Sequence, residues 1–140
     1  MTDAQAVRYF QDKLAYTTSP REVMLATQAG EKFTLVDVRS PEAYQQGRIP
    51  GAIHLTLAQL SNTGDQIAAN ADVVVYDWGP ASTESTRGAL SLAAQGFKVR
   101  VMIGGFEYWQ RLGFGIETPT GVRHRAPDPM TTASQQRNAF

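Results

Sequence analysis

The sequence predicts an α/β fold in which a mostly parallel sheet carries helices on both faces. Two observations predict it. Residues 33–38 and 73–76 are short, largely apolar runs bounded by polar residues, the pattern of strands buried on both sides. Capped helical segments alternate with such runs, and that alternation specifies βαβ units. With 140 residues, 42% of them hydrophobic, the chain can bury one domain's core and is too short for two comfortable ones.

Thr2 and Gln5 have capping-box spacing, and Val7, Phe10 and Leu14 follow at helical intervals, so residues 3–15 read as an amphipathic helix. Ser19, Pro20 and Glu22 combine an N-cap, a proline at the first helical position and a capping acid; Gly30 ends that helix. The run at 33–38 is the next strand. Ser40-Pro41-Glu42 opens a further helix that stops at Gly47, and Pro50-Gly51 turns the chain into the brief run Ile53-His54-Leu55. Residues 56–60 read as one helical turn. Val73-Val74-Val75-Tyr76 is the most β-branched run and predicts the central strand. After a polar loop, helical periodicity begins near Thr83, with Leu90, Ala93, Ala94 and Phe97 expected to face inward. Val99, Val101 and Ile103 alternate with polar or flexible neighbours as a last strand, and residues 106–112 form a final helix closed by Gly113.

Beyond residue 117 the composition changes. Residues 118–140 hold three of the seven prolines and three arginines against one aspartate. The chain is therefore expected to divide into an N-terminal helix and connector (1–18), a domain (19–117) and a Pro-containing tail (118–140). The tail is expected either to be mobile or to dock on its own globule or on a second copy in a homodimer, with Met130 or Phe140 as the anchor.

Charge and cysteine content narrow the function. Thirteen basic and thirteen acidic side chains cancel, leaving no excess to neutralise a phosphate backbone, so nucleic acid is not the expected partner. No apolar run approaches the length of a membrane span, nor does residues 1–10 resemble a secretory signal, so the protein is expected in the cytoplasm and away from membranes. There is no cysteine, which removes disulfides, thiolate metal sites and any reaction that carries sulfur on a protein thiol. His124 and Asp128 fall short of a metal site, and no metal is expected.

The segment Leu35-Val36-Asp37-Val38-Arg39-Ser40-Pro41-Glu42-Ala43-Tyr44, followed by Gly47-Arg48-Ile49-Pro50-Gly51-Ala52-Ile53-His54, closely resembles the N-terminal signature of rhodanese-like domains. The later Gly104-Gly105-Phe106-Glu107-Tyr108-Trp109 resembles their C-terminal signature. The resemblance spans residues 19–117 and implies a small domain around a five-stranded parallel sheet. It also implies a sulfurtransferase ancestry without a cofactor. In active relatives a cysteine at the carboxyl end of the central strand takes sulfane sulfur from thiosulfate, becomes a persulfide and passes the sulfur on.

The physical basis of such a site is general. Ligands of open α/β sheets bind beyond the carboxyl ends of the strands, where a loop entering a helix aims backbone N–H groups at one spot. That anion cradle stabilises a thiolate. Here the corresponding loop is Asp77, Trp78, Gly79, Pro80, Ala81, Ser82, Thr83, Glu84, Ser85, Thr86 and Arg87. Aligned on Trp78-Gly79-Pro80, the relatives' nucleophilic cysteine falls on Asp77 and a second loop cysteine on Ser82.

The resemblance therefore leads to a domain inactive as a sulfurtransferase that acts as a binding or regulatory module, with a protein partner at this loop. Asp77 would replace the anion and satisfy N–H donors that are costly to bury unpaired. Four alternatives stand beside it: a divergent transferase of the same family using Asp77 or Ser82 in this anion-binding loop, Ser82 as a hydrolase nucleophile with His54 or His124 as base, Asp77 as a nucleophile in phosphatase-like chemistry, and an active sulfurtransferase disabled by engineered substitution. Asp37 and Arg39 are expected to support the site by tying the strand end to the loop near Pro41. Arg87 is expected in solvent or paired with Glu84. His54 is expected to make a structural hydrogen bond and Tyr108 and Trp109 to pack. Trp78 is expected either under the loop or exposed to a partner.

Overall fold

The computed structural model describes residues 3–131. In chain order these form α1 (Ala4–Ala15), β1 (Thr17–Thr18), α2 (Pro20–Gln28), β2 (Thr34–Asp37), α3 (Pro41–Gln46), β3 (Ile53–His54), α4 (Leu57–Leu60), β4 (Asp72–Tyr76), α5 (Glu84–Ala94), β5 (Lys98–Met102), α6 (Gly105–Arg111), β6 (Ile116–Thr118) and β7 (Gly121–Arg123). Five strands make one parallel sheet in the order β1-β5-β4-β2-β3, with β4 in the middle. The expected five-stranded parallel α/β architecture is the one the chain adopts.

Local chemistry sets most helix starts. The Ser19, Ser40 and Thr56 side chains accept hydrogen bonds from the N–H groups of Glu22, Ala43 and Gln59, and Thr56 completes a capping box with Gln59. At α1 the cap is Asp3, accepting from Ala6, while Thr2 lies outside the described residues. Because successive strand residues point to opposite faces, β2 and β4 feed two cores. Leu35, Val74 and Tyr76 join Val23, Phe106 and Trp109 on one side. Val36, Val73 and Val75 join Leu55, Leu60 and Leu92 on the other.

Four features depart from the sequence reading. Residues 17 and 18, assigned to a connector, are an edge strand paired with Val101 and Met102. The phase of α5 differs: Ser85, Gly88 and Leu92 face inward, whereas Leu90 is exposed. Gly88 allows the close approach, since a Cβ there would lie 2.8 Å from Leu60 Cδ1. Val7, Phe10 and Leu14 do form a stripe, but α1 buries no residue.

The expected boundary at 117/118 falls inside β6, which pairs with β7 in an antiparallel hairpin. Arg48 and Glu117 exchange backbone hydrogen bonds of 3.0 and 2.8 Å and tie that hairpin to the domain. The chain then returns along α6: His124 Nδ1 lies 3.1 Å from the Gly113 carbonyl, and the Asp128 N–H donates to Arg111 at 2.8 Å. The Met130 N–H and the Arg111 guanidinium hold the Asp128 carboxyl below the ordinary carboxylate range. Met130 is exposed, and Phe140 lies outside the described residues.

Candidate functional site

The carboxyl ends of β2 and β4 lie side by side, with Asp37 in register with Tyr76. A buried network grows from that pairing. The Tyr76 hydroxyl donates to Asp37 Oδ2 at 2.6 Å, and the Ile49 N–H donates to the same hydroxyl. Burial, followed by the Asp37 carboxylate, pushes the Tyr76 phenol well above its usual value, so it remains protonated and a donor.

Arg39 closes the network. Its Nε and Nη2 meet the Asp37 carboxylate at 3.0 and 2.7 Å, and Nη2 also donates to the Gly47 carbonyl at 2.6 Å. The guanidinium tie therefore reaches the end of α3 rather than the loop near Pro41. His54 Nε2 lies 2.6 Å from the Arg39 carbonyl, and the imidazole stacks on Tyr44. The expected structural role of His54 is the one its contacts describe.

Asp77 follows β4 directly and is 2% exposed. Its Oδ1 accepts from the Gly79 N–H at 3.2 Å and its Oδ2 from the Ser85 N–H at 2.9 Å. Ser85 stands in the first turn of α5, whose N-cap residue, Thr83, makes no side-chain capping bond. Asp77 thus supplies the missing cap from outside the helix, with its charge at the positive end of the helix dipole.

The loop backbone is gripped from the other side by α6. The Asp77 and Trp78 carbonyls accept from the Phe106 and Glu107 N–H groups at 2.9 and 2.8 Å. Gly105 makes the approach possible: its φ is +61°, and a Cβ there would lie 2.6 Å from Gly79 N and 2.8 Å from the Asp77 oxygen. Gly105→Ala is expected to cost about 3 kcal/mol, combining left-handed backbone strain with an overpacked backbone contact. Chemical denaturation measures this, and a loss below about 1 kcal/mol, the size of an ordinary point change, would contradict the contact.

The remaining loop residues divide by exposure. Pro80, Ala81, Thr83, Thr86 and Arg87 face solvent, with Gly79, Ser82 and Glu84 partly covered. Trp78 is 53% exposed, yet its ring lies over the Arg39 guanidinium, whose Cζ is 5.2 Å from the ring centre and 3.9 Å from that of Phe106. The Trp78 ring is therefore exposed on one side and packed against Arg39 on the other. Arg87 Nε donates to Thr83 Oγ1 rather than pairing with Glu84. The Ser82 hydroxyl accepts from the Glu84 N–H, and neither His54 nor His124 is bonded to it. Among the described residues no cluster of metal-binding side chains occurs.

Trp109 is buried and donates to the Gly115 carbonyl, while Tyr108 is partly covered. Sequence reasoning missed Tyr76, Gly47 and Gly105 as members of this region. The glycine pair Gly104-Gly105 was the visible signal, but its partner in the loop was not.

A parallel sheet with a helix-capped loop at the carboxyl end of its central strand, and a buried Asp–Arg–Tyr network beneath, defines a rhodanese-like fold. The chain belongs to the rhodanese-like domain family, whose pattern matches residues 19–112. It is similar to the thiosulfate sulfurtransferase GlpE of Actinobacillus succinogenes, 38% identical over 94 residues covering 66% of this chain and 83% of that protein. It is also similar to the HTH-type transcriptional regulator Rv0324 of Mycobacterium tuberculosis, 31% identical over 74% of this chain and 45% of the regulator. Among solved structures, the BH2092 protein of Bacillus halodurans superposes with a TM-score of 0.76 at 33% identity, covering 84% of this chain and 87% of that one. The chain contains no cysteine.

Proposed function

We propose that this chain is a catalytically silent rhodanese-like module, working in the cytoplasm as a binding or regulatory domain whose recognition surface is the loop at 77–87. One observation carries the reading: the Asp77 carboxylate is buried with an N–H donor on each oxygen, Gly79 on one and Ser85 on the other. Asp77 is a built-in anion. It holds the cradle folded and leaves no vacancy for thiosulfate, while Trp78, Pro80, Thr83 and Arg87 project outward for a protein partner. The similarity to a transcriptional regulator supports a role for such domains outside sulfur transfer.

Burial weighs against a phosphatase-like role for Asp77: at 2% exposure its carboxylate does not reach a substrate in the crevice, as a nucleophile must. Ser82 fares no better as a nucleophile, since among the described residues neither histidine is bonded to its hydroxyl.

Removing the plug tests this. Asp77→Ala is expected to lose about 1–3 kcal/mol of stability because two buried N–H groups lose their acceptor, and to bind sulfate or thiosulfate more tightly than the parent. Added sulfate restores part of the lost stability by mass action. Calorimetry showing equal anion binding by the two proteins, or thiosulfate turnover by the parent, defeats the reading.

A further inference from the structure

Two apolar surfaces lie away from the loop, and among the described residues neither is covered. The first is the outer stripe of α1: Val7 is 47% exposed, Phe10 59% and Leu14 79%. A helix of 12 residues with nothing buried is marginal in water on its own. The second is a groove of about 1020 Å³ between α1, α5 and β5. Its floor is the sheet residues Val73, Val99 and Val101; its walls are Tyr9 and Tyr16 on one side and Leu90, 72% exposed, on the other. Parallel sheets are covered by helices on both faces, and among the described residues no helix lies over the floor at this edge.

We infer that the groove receives α1 of a second copy of this chain, and that the two copies do so reciprocally about a two-fold axis. Three observations select that occupant. The missing layer is helical, and the Val7, Phe10 and Leu14 stripe has the i, i+3, i+7 spacing of a helix packing face. The charges complement one another in part: the groove carries Lys13, Lys98 and Arg100 against Asp12 and Asp72, and Asp3 lies beside the stripe. The area suffices as well. Tyr9, Phe10 and Tyr16 are each more than half exposed, and aromatic side chains carry roughly 150–250 Å² apiece. With Val7, Leu14, Leu90 and Ile103 this reaches the roughly 800 Å² per partner of a standard interface. The edge-on contact between Tyr9 and Phe10, 5.1 Å between centres, makes stripe and groove one continuous surface. A surface that is its own complement closes as a two-fold dimer.

The oligomeric state of the full chain, measured by sedimentation across concentration, tests this. The parent is expected to be a dimer at tens of micromolar by the weaker end of standard interfaces. Phe10→Glu in the stripe and Leu90→Glu in the groove are each expected to yield folded monomers, since both side chains are exposed in the single chain. Mixing those two variants is expected to restore a heterodimer, because one stripe and one groove remain intact. The absence of cysteine adds a direct readout: a Leu14→Cys chain mixed with a Leu90→Cys chain is expected to crosslink on oxidation. A monomeric parent at every concentration overturns the inference. So does a Leu90→Glu chain that stays dimeric, a Leu14→Cys chain that crosslinks only to itself, or a dimer abolished by Met130→Glu alone, which would place the contact in the tail.

Discussion

An Asp77→Cys chain is expected to take sulfur from thiosulfate and deliver it to cyanide, while the parent and an Asp77→Ser chain stay at background. Position 77 leaves the central strand with its side chain buried and aimed at the Gly79 and Ser85 N–H groups. A thiolate placed there meets the same donors and the positive end of α5, both of which lower a thiol pKa. Even an unshifted thiol is about a few per cent thiolate at neutral pH, enough for a nucleophile, whereas a serine hydroxyl without a base is not. The expected change is from no turnover to measurable turnover on one substitution. Parent turnover above background would mean that some other group reacts, and the silent reading would fall. Turnover by none of the three would mean that the loop is shaped for its carboxylate alone, and the plug would then be a commitment of the whole loop.

The largest loss of stability is expected from Arg39→Ala. Its guanidinium is buried with the Asp37 carboxylate, caps the Gly47 carbonyl and lies against the Phe106 ring. Deleting it leaves a buried carboxylate whose main counter-charge is gone, a change worth about 3–5 kcal/mol. Against a total stability of roughly 5–15 kcal/mol for a domain, that brings the protein close to unfolding at ambient temperature. The pair also predicts non-additivity: Asp37→Asn combined with Arg39→Met is expected to be more stable than Arg39→Ala, because no unpaired charge remains. Equilibrium urea unfolding decides it, and a cost below about 1 kcal/mol for Arg39→Ala would place the pair among exposed bridges of little consequence.

Much of the fold was legible because its signals are local. Ser19, Ser40 and Thr56 cap helices through side chains three residues from their donors, so adjacency in sequence is enough. The β-branched run at 73–75 marks a strand wherever it is placed, and its burial on both faces marks the centre of the sheet. Elements that exist only through a distant partner were not legible. Thr17-Thr18 is too short to show a period and becomes a strand by pairing with β5. The hairpin β6–β7 takes its place from Arg48, 69 residues from Glu117. The helical phase of α5 follows Leu60 pressing on Gly88 rather than the more apolar face that carries Leu90.

The site divides in the same way. The sequence by itself determined what chemistry is absent, since composition is independent of folding and a chain without cysteine has no thiol anywhere. It also marked position 77 as the one to watch. Only the tertiary structure decided what the aspartate does there: it reaches eight residues ahead to cap α5 while its own carbonyl is held by α6. That outcome depends on three segments converging at the end of one strand. Convergence of that kind is a property of packing, and no local pattern of residues encodes it.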